Sequence, residues 1–211
     1  MKTHTTIGYQ MCMKDRKLMP YSAGPLYHHE GLDGSGYPNG YTINDIPYVA
    51  QIIRVADEYD AITSKRQYKT HIDISDTLEM LIAKTKPSID DPKAKIKDIG
   101  KMDPKIVKAL LKVVKIDIEY EIACVYDYVE HLKNNIKRLE DIKRWHEEMN
   151  TFTSQSEIDY YRSYILKTFE PQENFDNYQT ILEEYKKAYT AREAKIQLLY
   201  KEIKKIKAMK C

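Results

Sequence analysis

All seven glycines of this 211-residue chain lie at or before Gly100, and six of them at or before Gly40. Glycine is the residue that lets backbone turn through conformations other side chains resist. The chain therefore divides by what it can fold into: a first portion able to form tight loops, and a long remainder committed to helix. From Asp117 the apolar residues Ile118, Ile122, Val125, Val129, Leu132, Ile136 and Leu139 alternate steps of four and three, a heptad seam. A polar break, TFTSQS, is followed by a short Tyr-rich helix ending near Glu170-Pro171. Phe175, Tyr178, Leu182, Tyr185, Tyr189, Ile196, Leu199, Ile203 and Ile206 then repeat the pattern, with Arg192 interrupting it. Two such helices fold back as an antiparallel hairpin or pair with a second chain as a homodimer. The tyrosines here read as packing and interface, and no catalytic role falls beyond residue 120.

In the first portion, residues 5–19 predict a short helix stopped by Pro20 and Gly24. A second helix begins near Pro47, with Val49, Ile52, Ile53, Ala56 and Tyr59 or Asp60 on one face at helical spacing. Ser75 or Asp76 caps a third, with Leu78, Leu81 and Ile82 inside it. KPSIDDPKAKIKDIGK reads as an exposed connection. Asp103-Pro104 then starts a helix whose apolar stripe is Ile106, Val107, Leu110, Leu111 and Val114.

A net charge of +2 gives no large basic surface, so a nucleic acid polymer is not an expected partner. Cys12, Cys124 and Cys211 are odd in number and widely spaced, the pattern of reduced cytosolic thiols. MKTHTTIGYQ lacks an apolar leader core, and no apolar run approaches 20 residues. A cytoplasmic chain without a membrane segment is expected.

The chemistry concentrates in YHHEGLDGSGYPNG, Tyr27 to Gly40, where two histidines and a glutamate enter a loop holding Gly31, Gly34, Gly36 and Gly40. Imidazoles with carboxylates bind iron, manganese or zinc. Successive histidines point apart on any regular element, so His28 and His29 serve different sides of a site or different metals. His4 lies in the same portion, and Asp57 and Asp60, one turn apart, put carboxylates on one helix face. Glycines let backbone N–H groups turn toward an anion, and Gly36-Tyr37-Pro38 is a rigid turn with an aromatic suited to stacking on a flat ring. Arg66 and Lys69 follow the carboxylate helix and suit phosphate oxygens. His71, His131 and His146 stand among charged residues and read as surface positions.

Together, HHEGLDGSGYPNG and IRVADEYDAITSKRQYK resemble the HD-GYP family of bacterial cyclic di-GMP phosphodiesterases. MKTHTTIGY resembles that family's K-x-H-x-x-x-G segment, and GKMDPKIVKALLKV its closing helix. The resemblance covers roughly residues 1–116. It implies an all-α fold: an HD-type helical bundle, here incomplete, followed in 117–211 by a heptad-patterned hairpin or coiled coil. It implies two or three iron or manganese ions in a complete site, which activate the attacking water and offset charge on the phosphoryl oxygens. By position, His4, His28, His29 and Asp57 would be metal ligands. Gly36, Tyr37, Pro38, Asp60, Arg66 and Lys69 would engage cyclic di-GMP, and Glu30 and Asp33 would orient the loop and the histidines.

The family's upstream histidine, its His-Asp pair and a following lysine have no counterpart after MKTH, and no His-Asp dipeptide occurs anywhere. The expectation is a C-terminal portion of a longer protein or a truncated product. It would hold at most one metal, with apolar faces of 47–64 and 104–116 lacking part of their cover. Two further readings stand beside the phosphodiesterase: a non-catalytic cyclic di-GMP-binding module, and a protein-interaction module signalling through the helical tail.

Overall fold

The computed structural model describes residues 2–64 and 73–210. Among them are seven α-helices: α1 (His4–Lys14), α2 (Ala23–Tyr27), α3 (Tyr48–Thr63), α4 (Ile74–Ala83), α5 (Pro104–Met149), α6 (Gln155–Thr168) and α7 (Tyr178–Ala208). A 3-10 turn, Met19–Tyr21, joins α1 to α2. The fold is all-α; its one β feature among the described residues is an isolated bridge between Asp33 and Thr42. The described chain forms two compact units, Met1–Asp117 with Glu202–Cys211, and Ile118–Lys201.

In the first unit, the expected 5–19 helix ends sooner. Asp15 takes an extended conformation after Lys14, and its carboxylate accepts the Lys17 amide at 2.8 Å, a local bond that competes with another helical turn. α3 begins where predicted but buries a different face. Val49, Ile52 and Ile53 are exposed, while Ala50 packs with Leu32 and Ile46, and Val55 with Leu81, Met102, Ile106 and Val107. Periodicity identifies the faces of a helix that is apolar on more than one side, and the neighbours decide which is covered. The α3 and α5 faces expected to lack cover meet in an open groove of about 250 Å³ lined by Tyr48, Ile52, Ala56, Ala109, Leu110 and Val113.

α4 starts at Ile74 with Asp73 as its N-cap position, and neither Ser75 nor Asp76 caps it. The Ser75 amide instead donates to Glu202 Oε2 at 3.2 Å, and Lys205 Nζ reaches Ser75 Oγ at 3.3 Å. A carboxylate distant in sequence satisfies a donor that local side chains leave open.

The segment 86–101 is more than an exposed connection. The Lys95 and Ile96 amides donate to the Asp33 carbonyl at 2.7 and 3.0 Å, and the Leu32 amide donates to the Lys101 carbonyl at 3.1 Å. Polar composition describes side chains and is silent on where a loop delivers its backbone groups.

The stripe behind Pro104 and the heptad seam belong to one helix, α5, with no break at 116/117. In the second unit, Leu139 and Ile142 of α5 pack with Ile165 of α6 and with Tyr178 and Leu182 of α7. Glu140 pairs with Lys186 at 3.0 Å and Glu121 with Lys195 at 2.5 Å, so rising numbers on α7 meet falling numbers on α5. The helices are therefore antiparallel. Arg138 forms a bidentate pair with buried Glu173, both bonds 2.6 Å. His146, expected at the surface, is half-buried: its Nδ1 lies 3.0 Å from the Tyr178 hydroxyl and its ring meets Phe175 edge-on. His131 is exposed as expected. Arg192 spans the seam's interruption by lying over the Tyr128 ring, 5.6 Å from its centroid.

Candidate metal centre and its loop

Three imidazoles converge in the first unit. His4 opens α1, and His28 and His29 follow α2, whose five residues end as the chain turns into the glycine loop. Beyond the last helical turn, neighbouring side chains are freed from the divergence of a regular element, and the two rings lie 4.1 Å apart. Ligand atoms of His4, His28 and His29 all fall within 4.8 Å of one another. His28 Nδ1 lies 3.0 Å from the Gly24 carbonyl and 2.9 Å from that of Pro25. Donation there places the proton on Nδ1 and leaves the Nε2 lone pair facing His4 Nε2, 3.3 Å away.

This arrangement fits a transition metal. Two nitrogens each bound at about 2.1 Å with an angle near tetrahedral stand roughly 3.4 Å apart, close to the His4–His28 separation. Burial first, then the charge of His28, pushes His29 down to about 4 against the opposing pull of Asp57, so its imidazole is neutral near pH 7. Neutral imidazole is the ligating form. Asp57 is exposed and outside the three-histidine cluster, acting on His29 through charge. Asp60, one turn on, is exposed and accepts the Ser64 hydroxyl at 2.8 Å. Arg66 and Lys69 lie outside the described residues, as does His71.

The loop is fastened to the same segment that carries the histidines. Glu30, 1 % exposed, accepts the Asn39 amide on Oε1 at 2.7 Å and the Tyr41 amide on Oε2 at 3.1 Å. Asp33 Oδ1 accepts both the amide and the hydroxyl of Ser35, at 3.0 and 2.7 Å. Gly36 passes so close to the preceding chain that a Cβ there would sit 2.3 Å from the Gly31 amide nitrogen and 2.5 Å from the His29 carbonyl. Only glycine fits. Gly34 has φ 78°, in the region other residues resist. Lys95 lays its stem over Gly34 and donates to the Gly40 carbonyl.

The Tyr37–Pro38 peptide is cis. The Tyr37 ring, expected to offer itself to a flat ligand ring, instead stacks on His29, with centroids 4.7 Å apart at 23°. Its amide donates to the His29 carbonyl at 3.2 Å.

Arg54 escaped the sequence reading. Largely buried, it donates through Nη1 to the Glu30 carbonyl at 2.7 Å. Its Nε and Asp33 Oδ2 are both buried without a hydrogen-bond partner in the structure. Burial lowers the guanidinium pKa from its usual value, opposed by the charges of Asp33 and Glu30. The available signal was a lone arginine within the apolar run VAQIIRVA.

Residues 1–92 match the sequence model of the HD domain. Thermotoga maritima has a cyclic di-GMP phosphodiesterase that is 35 % identical over 129 residues, 60 % of this chain and 30 % of that protein. Xanthomonas campestris has a cyclic di-GMP phosphodiesterase response regulator, RpfG, 36 % identical over 115 residues, 53 % of this chain and 27 % of that protein. Vibrio cholerae has a 3'3'-cGAMP-specific phosphodiesterase 2, 37 % identical over 71 residues, 33 % of this chain and 14 % of that protein. The chain thus spans less than a third of the length of these relatives. Residues 1–92 are similar to the HD domain, and these relatives are phosphodiesterases of cyclic dinucleotides by name. HD domain phosphohydrolases are metal-dependent, which agrees with the chemistry of the three-imidazole cluster.

Proposed function

We propose that residues 1–116 are the metal- and substrate-binding part of a phosphodiesterase for cyclic di-GMP, with 117–211 a helical extension. The observation that carries this reading is the convergence of His4, His28 and His29 within 4.8 Å beside the glycine loop. The ion would be iron or manganese, held by those imidazoles with Asp57 at hand. When bound, it supplies Lewis-acid polarisation of a phosphoryl oxygen.

The protein's own part is positioning. Glu30 and Asp33 hold the loop, and Asp60 with Arg66 and Lys69 engages the phosphates of the cyclic dinucleotide. Three imidazoles and one carboxylate serve a single ion. The reading places the protein in the cytoplasm, with the second unit a self-contained hairpin or a contact for another copy. Among the described residues, no helix is long and apolar enough to cross a membrane.

The test is elemental analysis after loading with manganese or iron, with calorimetry and a cyclic di-GMP hydrolysis assay. At most one weakly held ion per chain is expected, lost in His28→Ala, with hydrolysis too slow to be useful. No ion at all, or two tightly held ions with brisk turnover, would overturn this assignment of the ligands.

A further inference from the structure

The signature loop carries an aromatic side chain beside a cluster of ligand-type side chains, and its orientation is unexpected for a nucleobase platform. Tyr37 faces inward. Its ring lies on the His29 imidazole with centroids 4.7 Å apart and 23° between planes, within the offset-stacked range. The Lys2 ammonium lies over the Tyr37 ring at 5.4 Å from its centroid. Tyr37 is half-buried, and burial raises its phenol above the usual value, followed by the charge of Asp57.

The backbone reinforces this placement. The Tyr37 amide donates to the carbonyl of the residue its ring covers, at 3.2 Å. On one side, Gly36 is pressed against the Gly31 amide and the Glu30 Cα, where a Cβ would lie 2.3 and 2.5 Å from them. On the other, Glu30 takes the Asn39 and Tyr41 amides. The ring is thus set from both flanks, and it has little freedom to leave His29.

The three imidazoles are not held alike. His28 is fixed through Nδ1 by two carbonyls, at 3.0 and 2.9 Å. His29 is flanked by the rings of His4 at 5.0 Å, His28 at 4.1 Å and Tyr37 at 4.7 Å. The first two are fellow ligands, so Tyr37 is the ring that can orient His29 without competing for the ion.

We propose that Tyr37 is a positioning residue for the metal centre, holding the His29 imidazole at the angle ligation needs through face-to-face packing. It rests on the metal reading above and deepens it. The aromatic of the loop then acts on the ligand set and leaves the nucleobase to other residues. Because the ring face does the work, phenylalanine substitutes for tyrosine and an aliphatic residue does not.

Two measurements test this. The first uses metal-free wild-type protein. NOEs between Tyr37 and His29 ring protons, with His29 ring protons shifted upfield by a few tenths of a ppm, are expected, and their absence overturns the proposal. The second is cobalt(II) binding followed by its visible absorption. Loss of an outer partner of a ligating histidine typically weakens metal binding about 10- to 100-fold. Tyr37→Leu should therefore bind cobalt(II) at least about tenfold more weakly with an altered band shape, while Tyr37→Phe stays within about twofold of wild type. Equal affinity and spectrum in Tyr37→Leu overturn the proposal, as does a Phe variant as impaired as Leu. If wild type shows no cobalt(II) site, the metal reading fails, while the ring contact is still decided by the metal-free spectra. A Tyr37→Leu protein that does not fold leaves the decision to the wild-type spectra and the Phe variant.

Discussion

Replacing Glu30 tests whether the loop is held by a buried carboxylate or by its own turn geometry. The carboxylate is 1 % exposed and accepts the Asn39 amide at 2.7 Å and the Tyr41 amide at 3.1 Å, spanning nine and eleven residues of chain. A hydrogen bond to a charged acceptor is worth about 1.5–3 kcal/mol. Glu30→Ala removes both acceptors and leaves two N–H groups to find water as the loop lifts. Two such bonds sum to about 3–6 kcal/mol, and relaxation takes the local cost toward the lower end, about 3 kcal/mol. Glu30→Gln keeps one carbonyl oxygen and puts an amide donor against the other N–H, so about half the loss is expected. The Glu30 main chain keeps its bond from Arg54 in both variants, which isolates the side chain. Native-state amide exchange reads the effect directly. Exchange at Asn39 and Tyr41 should quicken about 100-fold in Glu30→Ala and about tenfold in Glu30→Gln, with the amide of Ile165 in the second unit unchanged. Unchanged exchange at Asn39 and Tyr41 in both variants would refute the clamp.

Gly36→Ala drives a methyl into the Gly31 backbone, so the loop must shift. A loss of about 1–3 kcal/mol in urea unfolding and at least tenfold weaker cobalt(II) binding are expected. Arg138→Ala strips the partner from Glu173 and should cost about 2–3 kcal/mol, at the low end for a broken buried pair because Arg138 keeps 22 % exposure. Burial pushes the Glu173 pKa up, but the hydrogen bond from Arg138, that from the Glu170 amide and the Arg138 charge together hold it below 4.5. This stabilisation is present above about pH 4.5 and lost as pH falls through the folded value; in Arg138→Ala only the Glu170 amide still opposes burial, so the acid-side pH slope of thermal melting should flatten. Leu132, 1 % exposed, and half-buried Ile122 lie on the α5 seam, and converting both to Asp should lower the melting of the second unit by more than about 10 °C. Glu202→Ala should destabilise α4 by about 1 kcal/mol, seen as faster exchange of the Ser75 amide, since Glu202 Oε2 serves that donor.

Periodicity carried the long helices, because a heptad seam states both element type and buried face. Ile118, Val129, Leu132 and Leu139 are buried, as are Tyr178, Leu182, Ile196 and Leu199. On α3 it picked out the apolar face of Val49 and Ile52, which stays exposed as expected, and was silent on the other face, where Ala50 and Val55 are covered. The residue types around the site were legible too, since few folding demands call for His-His-Glu beside four glycines. Their division of labour was not. That Glu30 turns away from the imidazoles to collect the Asn39 and Tyr41 amides depends on a loop closure that no spacing rule encodes. That Tyr37 points toward His29 depends on the Gly36 contact. The segment 86–101 shows the same limit: its polar residues described a surface, while its amides were committed to the Asp33 carbonyl.

These loop contacts share a physical cause. His28 and His29, at the end of a five-residue helix, cannot be held rigid by helix geometry alone, because α2 is too short to fix side chains beyond its last turn. Rigidity has to come from elsewhere, and it comes from below and beside. Arg54 of α3 ties the Glu30 carbonyl, Glu30 ties residues 39 and 41, and residues 95 and 96 tie Asp33. Each of these bonds ends on the segment 28–33 or starts from it. The glycines allow the chain to come close enough for the bonds to form, and the bonds then remove the freedom the glycines introduced. The metal-type side chains and the backbone freedom of the opening loop are in this way two parts of one device: the loop folds back on the histidines and holds them.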